Sequence, residues 1–227
     1  MIEKLKKEIN ALANPERAEH SKYYFKTGKG EYGEGQVFLG LTMPQQREVA
    51  KKYKDLPLEQ VQELIESKIH TYRMIALVIL TIKYKKNPKE VFDFYLKNTQ
   101  YINNWDLVDV TAHKIVGEYL LDKDRAVLYS LAKSSELWEK RISIISTFAF
   151  IRRGQLDDTI KIAEILLHDK HDLIHKAVGW MLREVGKKDK QTLTNFLDKY
   201  HKEMPRTMLR YSIERFSSEE RQFYMKK

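Results

Sequence analysis

The chain has 227 residues, enough for one generous domain or a short repeat array with a sizeable core. It contains no Cys, which excludes disulfides, iron–sulfur clusters, thiolate zinc sites and cysteine nucleophiles. With 41 Lys and Arg against 32 Asp and Glu, the net charge of +9 favours polyanionic partners, nucleic acid first. Lys-rich solvated helices give the same total, so the placement of the basic residues has to decide the matter.

Taken in order, the first segment, MIEKLKKEINAL, is charged and amphipathic with no apolar h-region, so it does not read as a secretory signal. Asn14 before Pro15 marks a helix start, and Thr42 with Gln45 forms a capping box ahead of another. Pro57, Asn87–Pro88 and Pro205 mark three more starts, because proline's missing N–H costs nothing in a first turn. The longest apolar run, 74–82, is roughly half a membrane span, so the expectation is a cytoplasmic protein, nucleoid-associated in a prokaryote. The periodicity predicts about a dozen helices of 9 to 17 residues and no strand, an all-α fold.

The helices repeat. Arg73, Asp109, Arg141, Lys176 and Arg210 are spaced by 36, 32, 35 and 34 residues. One position on, every repeat is apolar (Met74, Val110, Ile142, Ala177, Tyr211); three on, it is small or apolar (Ala76, Ala112, Ile144, Gly179, Ile213). A period near 35 with two helices per unit predicts an α-solenoid of HEAT or TPR type in a single domain over 1–227, with a helical bundle as the rival. In that register four of five anchors are basic and form a stripe along a curved surface, suited to a phosphate backbone. Arg73 and Lys176 are DNA-contact candidates on this ground. Asp109 alone breaks the row.

Local motifs sharpen the picture. The 27–35 segment, TGKGEYGEG, matches G-x-G-x-x-G, but no strand precedes it, so it is no dinucleotide fingerprint. It reads as a flexible connector, or as a loop whose amides approach phosphate together with Lys26 and Lys29. In NNWDLVDVTAH, Trp105 and Asp109 share a helical face while Asp106 points about 100° away. Asp106 reads as first-turn macrodipole support. Asp109, flanked by Val108 and Val110, is either a functional acid or the partner of a neighbouring repeat's arginine. Lys176, Trp180 and Arg183 fall on one stripe, and Gly179 beside Trp180 suggests open space there, although a helical Trp is more often core. Trp138 reads as packing. His171 and His175 are four apart, but no third ligand accompanies them, so no metal site is expected. No serine-hydrolase motif is present.

These residues resemble a known family. AEHSKYYFK, VFLGLTMPQQR, WDLVD, WEKR and HKAVGWMLRE, in order and at matching spacing over nearly the whole chain, resemble the DNA alkylation repair enzymes with HEAT-like repeats, the AlkD-type alkylpurine DNA glycosylases. The resemblance implies a C-shaped solenoid that binds duplex DNA on a basic concave face. It implies excision of cationic bases, chiefly 3-alkyladenine and 7-alkylguanine, without base flipping and without a cofactor. Position by position, Trp105, Asp109 and Trp180 match the family's active-site aromatic, catalytic carboxylate and second aromatic. Arg141 and Arg183 match its DNA-facing arginines, and Tyr24 matches an N-terminal Tyr at the DNA surface. The glycine-rich 27–35 segment departs from the shorter members. A non-catalytic DNA-binding solenoid and a protein scaffold are the alternatives; a monomer is expected.

Overall fold

A computed structural model describes residues 1–226, and among them the only strand-like pairing is an isolated parallel bridge between Val37 and Ile69. The fold is all-α, as expected. The chain divides into two compact units, residues 1–111 and 112–227.

The first unit begins with α1 (Ile2–Ala11) and α2 (Pro15–Tyr24), the latter capped by Asn14, whose side chain accepts the Arg17 amide. Next comes α3 (Met43–Lys52) behind the Thr42–Gln45 capping box, then α4 (Leu58–Ile65) after Pro57. Helix α5 (His70–Lys83) is buried continuously from His70 to Leu80 and forms the unit's core, with α3 and α4 packed on it. Helix α6 (Pro88–Lys97) starts at its proline, but Asn87 does not cap it: its amide donates to Glu90 at 3.1 Å instead. A 3₁₀ turn (Thr99–Tyr101) leads into α7 (Trp105–Ala112).

Helix α7 runs on into a π-helical turn, His113–Gly117, which opens the second unit. Then follow α8 (Ala126–Ala132), α9 (Leu137–Ser146), α10 (Phe148–Arg152), α11 (Asp157–Ile165), α12 (Asp172–Lys188), α13 (Lys190–Tyr200), α14 (Arg206–Ser212) and α15 (Ser218–Met225). Several are shorter than the expected nine residues, because turns such as Thr147 split long periodic stretches in two. Helix α12 buries Ile174, Ala177, Val178, Met181, Leu182 and Val185, the i, i+3, i+4, i+7 stripe of an amphipathic helix. It packs against α9, α13 and α14.

The repeat register is visible in three dimensions. Arg73, Asp109, Arg141, Lys176 and Arg210 each stand at the fourth or fifth residue of α5, α7, α9, α12 and α14. The position three further on is buried in all five repeats. Gly179 is one of these, and it leaves no open space: a Cβ there would lie 2.5 Å from both the Met208 carbonyl oxygen and the Tyr211 Cβ. The glycine permits close contact between α12 and α14, which corrects the expectation of a gap beside Trp180.

Among the described residues no helix is long and apolar enough to cross a membrane.

Candidate functional site

The cluster around Trp105 is assembled from four parts of the first unit. Helix α2 is followed by its C-cap Phe25 and then by Lys26 in the left-handed region (φ 53°), the conformation that reverses a chain at a helix C-terminus. The reversed 27–35 segment folds back on itself: the Gly33 amide donates to the Lys26 carbonyl at 2.9 Å. A Cβ on Gly33 would sit 2.4 Å from the Phe25 carbonyl oxygen, so only glycine fits. The Gly28 and Gly30 amides donate to Glu31 and Glu34 at 2.8 Å each. Those two amides are therefore engaged by the segment's own carboxylates, which weighs against the alternative of a loop whose amides approach phosphate.

The strand-like segment after it straps two helix starts together. The Val37 amide donates to the Lys68 carbonyl at 3.1 Å, and the His70 amide donates to the Val37 carbonyl at 2.7 Å, fixing the start of α5. Gln36 Nε2 donates to the Asn103 carbonyl at 2.9 Å, while the buried Asn104 donates to Gln36 Oε1 at 2.9 Å. Asn104 Oδ1 in turn accepts the Trp105 amide at 2.8 Å, so the lead-in to α7 is held on both sides.

On this frame the rings stack. Phe25 lies against Trp105 (centroids 5.3 Å apart, planes 20° apart), and Tyr24 meets the same indole edge-on at 5.7 Å. Phe25 also stacks on Phe38 at 4.8 Å, and Phe38 on His70 at 4.4 Å. His70, 3% exposed, directs Nε2 to Asp106 Oδ1 at 2.9 Å. Asp106 is thus more than first-turn decoration. It accepts from a buried imidazole as well as from the Leu107 amide at 2.8 Å. Sequence reasoning passed over His70, Phe25 and Gln36, because their neighbours in the chain carry no pattern that sets them apart.

Asp109 is half-buried on α7. Burial, chiefly, and the nearby Asp109 charge push the Tyr95 phenol up, while a hydrogen bond with Thr111 at 3.0 Å works the other way. Thr111 Oγ1 donates to the Leu107 carbonyl at 2.5 Å.

The anchor cations do not form a uniform solvent-facing row. Arg73 and Arg141 are each only 4% exposed. Arg73 Nη1 donates to the Ser67 carbonyl at 2.6 Å, and Arg141 Nη1 donates to the Leu173 carbonyl at 2.5 Å. Burial lowers the Arg73 guanidinium to about 10, partly opposed by the Asp106 charge. Both guanidinia are thus turned away from solvent toward backbone carbonyls, and Arg73 Nε and Nη2 are buried with no hydrogen-bond partner among the described residues. Lys176 is half-buried and pairs with Asp172 at 2.7 Å, whereas Arg210 is exposed. Tyr24 is 57% exposed.

In the second unit Trp180 is half-buried, 5.9 Å from Phe148, whose ring meets His113 edge-on at 5.5 Å and has the Arg152 guanidinium 5.4 Å above it. Arg183 is ion-paired with Glu214 and lies 3.4 Å from Glu184. The two histidines at metal-like spacing hold a helix start instead. His171 Nδ1 accepts the Leu173 amide at 3.1 Å, and His175 Nε2 donates to the Asp169 carbonyl at 2.5 Å.

Comparison with known proteins bears on this arrangement. A family model described as DNA alkylation repair enzyme matches residues 5–216. A solved structure described as a predicted DNA alkylation repair enzyme from Enterococcus faecalis is similar in fold, with a TM-score of 0.71 at 18% identity, covering 91% of this chain and 97% of that one. No curated protein matches.

Proposed function

Because the chain belongs to the DNA alkylation repair enzyme family, we propose that it is a DNA glycosylase hydrolysing the N-glycosidic bond of cationic alkylated purines, 3-alkyladenine and 7-alkylguanine, in duplex DNA. The observation that carries this reading is the pairing of Asp109 with Trp105 on one face of α7, in a row of repeats whose other anchors are all basic. Binding alone requires no acid there.

Alkylation at N3 or N7 places a positive charge on the purine, which makes it a good leaving group without protonation. What the reaction needs is a negative charge near C1′, where the oxocarbenium-like transition state develops, and an oriented water to complete the hydrolysis. The Asp109 carboxylate supplies both. Phe25 covers one face of the Trp105 indole, and the other is the face offered to the cationic base or sugar, an attraction worth roughly 0.5 to 2 kcal/mol. Trp180 is assigned the second aromatic contact, and Tyr24, Lys176 and Arg183 the contacts with the DNA backbone. Arg183 would exchange its Glu214 partner for phosphate. Arg141 would reach DNA only by leaving the Leu173 carbonyl, and Arg73 is given no such role. The protein acts as a monomer.

Incubation with duplex DNA containing 7-methylguanine, followed by measurement of free base, tests the proposal. Asp109→Asn is expected to lower release by roughly 10² or more, the scale of losing a group matched to transition-state charge, with binding little changed. Release unaffected by Asp109→Asn sinks the assigned role. Tight binding with no release by the unaltered protein identifies a non-catalytic DNA-binding solenoid.

A further inference from the structure

Trp105 and Asp106 are neighbours in sequence, yet they reach opposite ends of one stack of rings. Trp105 lies on Phe25, Phe25 on Phe38 and Phe38 on His70, and the His70 imidazole returns to Asp106 through the 2.9 Å hydrogen bond. Phe25 and His70 also meet directly, at 5.3 Å. The first turn of α7 therefore clasps the column at both ends, forming a closed circuit of stacking and hydrogen bonding. Stacking on Phe25 and the edge contact of Tyr24 hold the indole at one face and at its rim but leave it able to slide in its own plane. Pinning the adjacent residue to the far end of that stack removes the freedom, and the same helix carries Asp109 one turn further along.

We propose that His70 is a positioning residue: by holding Asp106, it fixes the plane of the Trp105 indole and the setting of the helix that bears Asp109. This rests on the glycosylase reading for its catalytic consequence, though not for its structural one. The arrangement has the parts such a role needs. His70 is held at its backbone by the Val37 carbonyl and at its ring by Phe38, so the imidazole has little room to follow a moving partner. Asp106 retains slight exposure, 15% of its side chain, so its loss opens no deep cavity. The neighbouring charge is the Arg73 guanidinium, whose Nη1 donates to the Ser67 carbonyl while Nε and Nη2 have no hydrogen-bond partner among the described residues.

The test uses the full chain labelled with 5-fluorotryptophan. Its three tryptophans give three fluorine resonances, assigned by single Trp→Phe variants. Asp106→Ala is expected to shift or broaden the Trp105 resonance while those of Trp138 and Trp180 stay in place. Asp106→Asn keeps an acceptor for Nε2 and is expected to restore it, which excludes loss of charge as the cause. His70→Phe, which keeps the stack but not the hydrogen bond, is expected to behave as Asp106→Ala does. In the base-release assay the catalytic rate falls by roughly tenfold to a hundredfold, the cost of a small misplacement, with the DNA dissociation constant unchanged. A general loss of stability would move all three resonances. A Trp105 resonance indifferent to Asp106→Ala in the folded protein overturns the proposal, as does a shifted resonance with an unchanged rate. Should the unaltered protein release no base, the glycosylase reading fails, and the fluorine spectra alone still decide whether His70 positions Trp105.

Discussion

A guanidinium taken out of water loses hydration that only hydrogen bonds or counter-charge replace. Arg73 and Arg141 recover part of it from the Ser67 and Leu173 carbonyls, which ties each charge to packing rather than to solvent. Each phosphate neutralised by a cation contributes a slope of about −0.9 to the dependence of log K on log salt for duplex DNA. Arg73→Gln is therefore expected to leave the salt slope of DNA binding unchanged, whereas Lys176→Gln lowers its magnitude by about 0.9. Titrations at several salt concentrations check both, and a changed slope for Arg73→Gln would return it to the DNA surface. The residue scale is also where the sequence was least legible. Spacing on α7 separated Asp109 from Asp106 and put Trp105 with Asp109 on one face, but nothing local identified the partner of Asp106. That partner, His70, is 36 residues away, one repeat earlier at the equivalent position.

Helices were the most legible objects. All five prolines stand in the first turn or at the cap, and the Thr42–Gln45 box forms as its spacing predicts. Asn87 fails as a cap because Glu90 competes for its side chain, a contest that residue type alone does not resolve. The π-helical turn after α7 was invisible too, since it keeps the apolar residues of an α-helix and alters only which carbonyl each amide meets. Close packing has the same character: Gly179 reads as a space in sequence and is a contact in structure. A methyl group added there meets the Met208 carbonyl of α14. Gly179→Ala is accordingly expected to cost about 1–3 kcal/mol despite its better helix propensity, and to lower Tm by roughly 2–10 °C. Thermal unfolding followed by circular dichroism measures this, and an unchanged or raised Tm would mean that the two helices part without cost.

For the molecule as a whole, the +9 charge makes DNA association salt-dependent whatever the chemistry that follows. Affinity for duplex DNA is expected to fall at least roughly tenfold between 50 and 200 mM salt, with heparin competing, as counterion release requires. Indifference to both would favour a protein scaffold instead. The sequence by itself determined the all-α class, the repeat near 35 residues, the charge balance, and the shared face of Trp105 and Asp109. Each of these is either a sum over residues or a consequence of the 3.6-residue helical period, and both are local. Only the tertiary structure decided that Arg73 and Arg141 face carbonyls, that Gly179 joins two helices, and that Asp106 closes a ring stack through His70. Those outcomes depend on which helix faces meet, and contacts such as Arg141 with Leu173, Gly179 with Met208 and His70 with Asp106 join residues about a repeat apart, where the helical period does not reach.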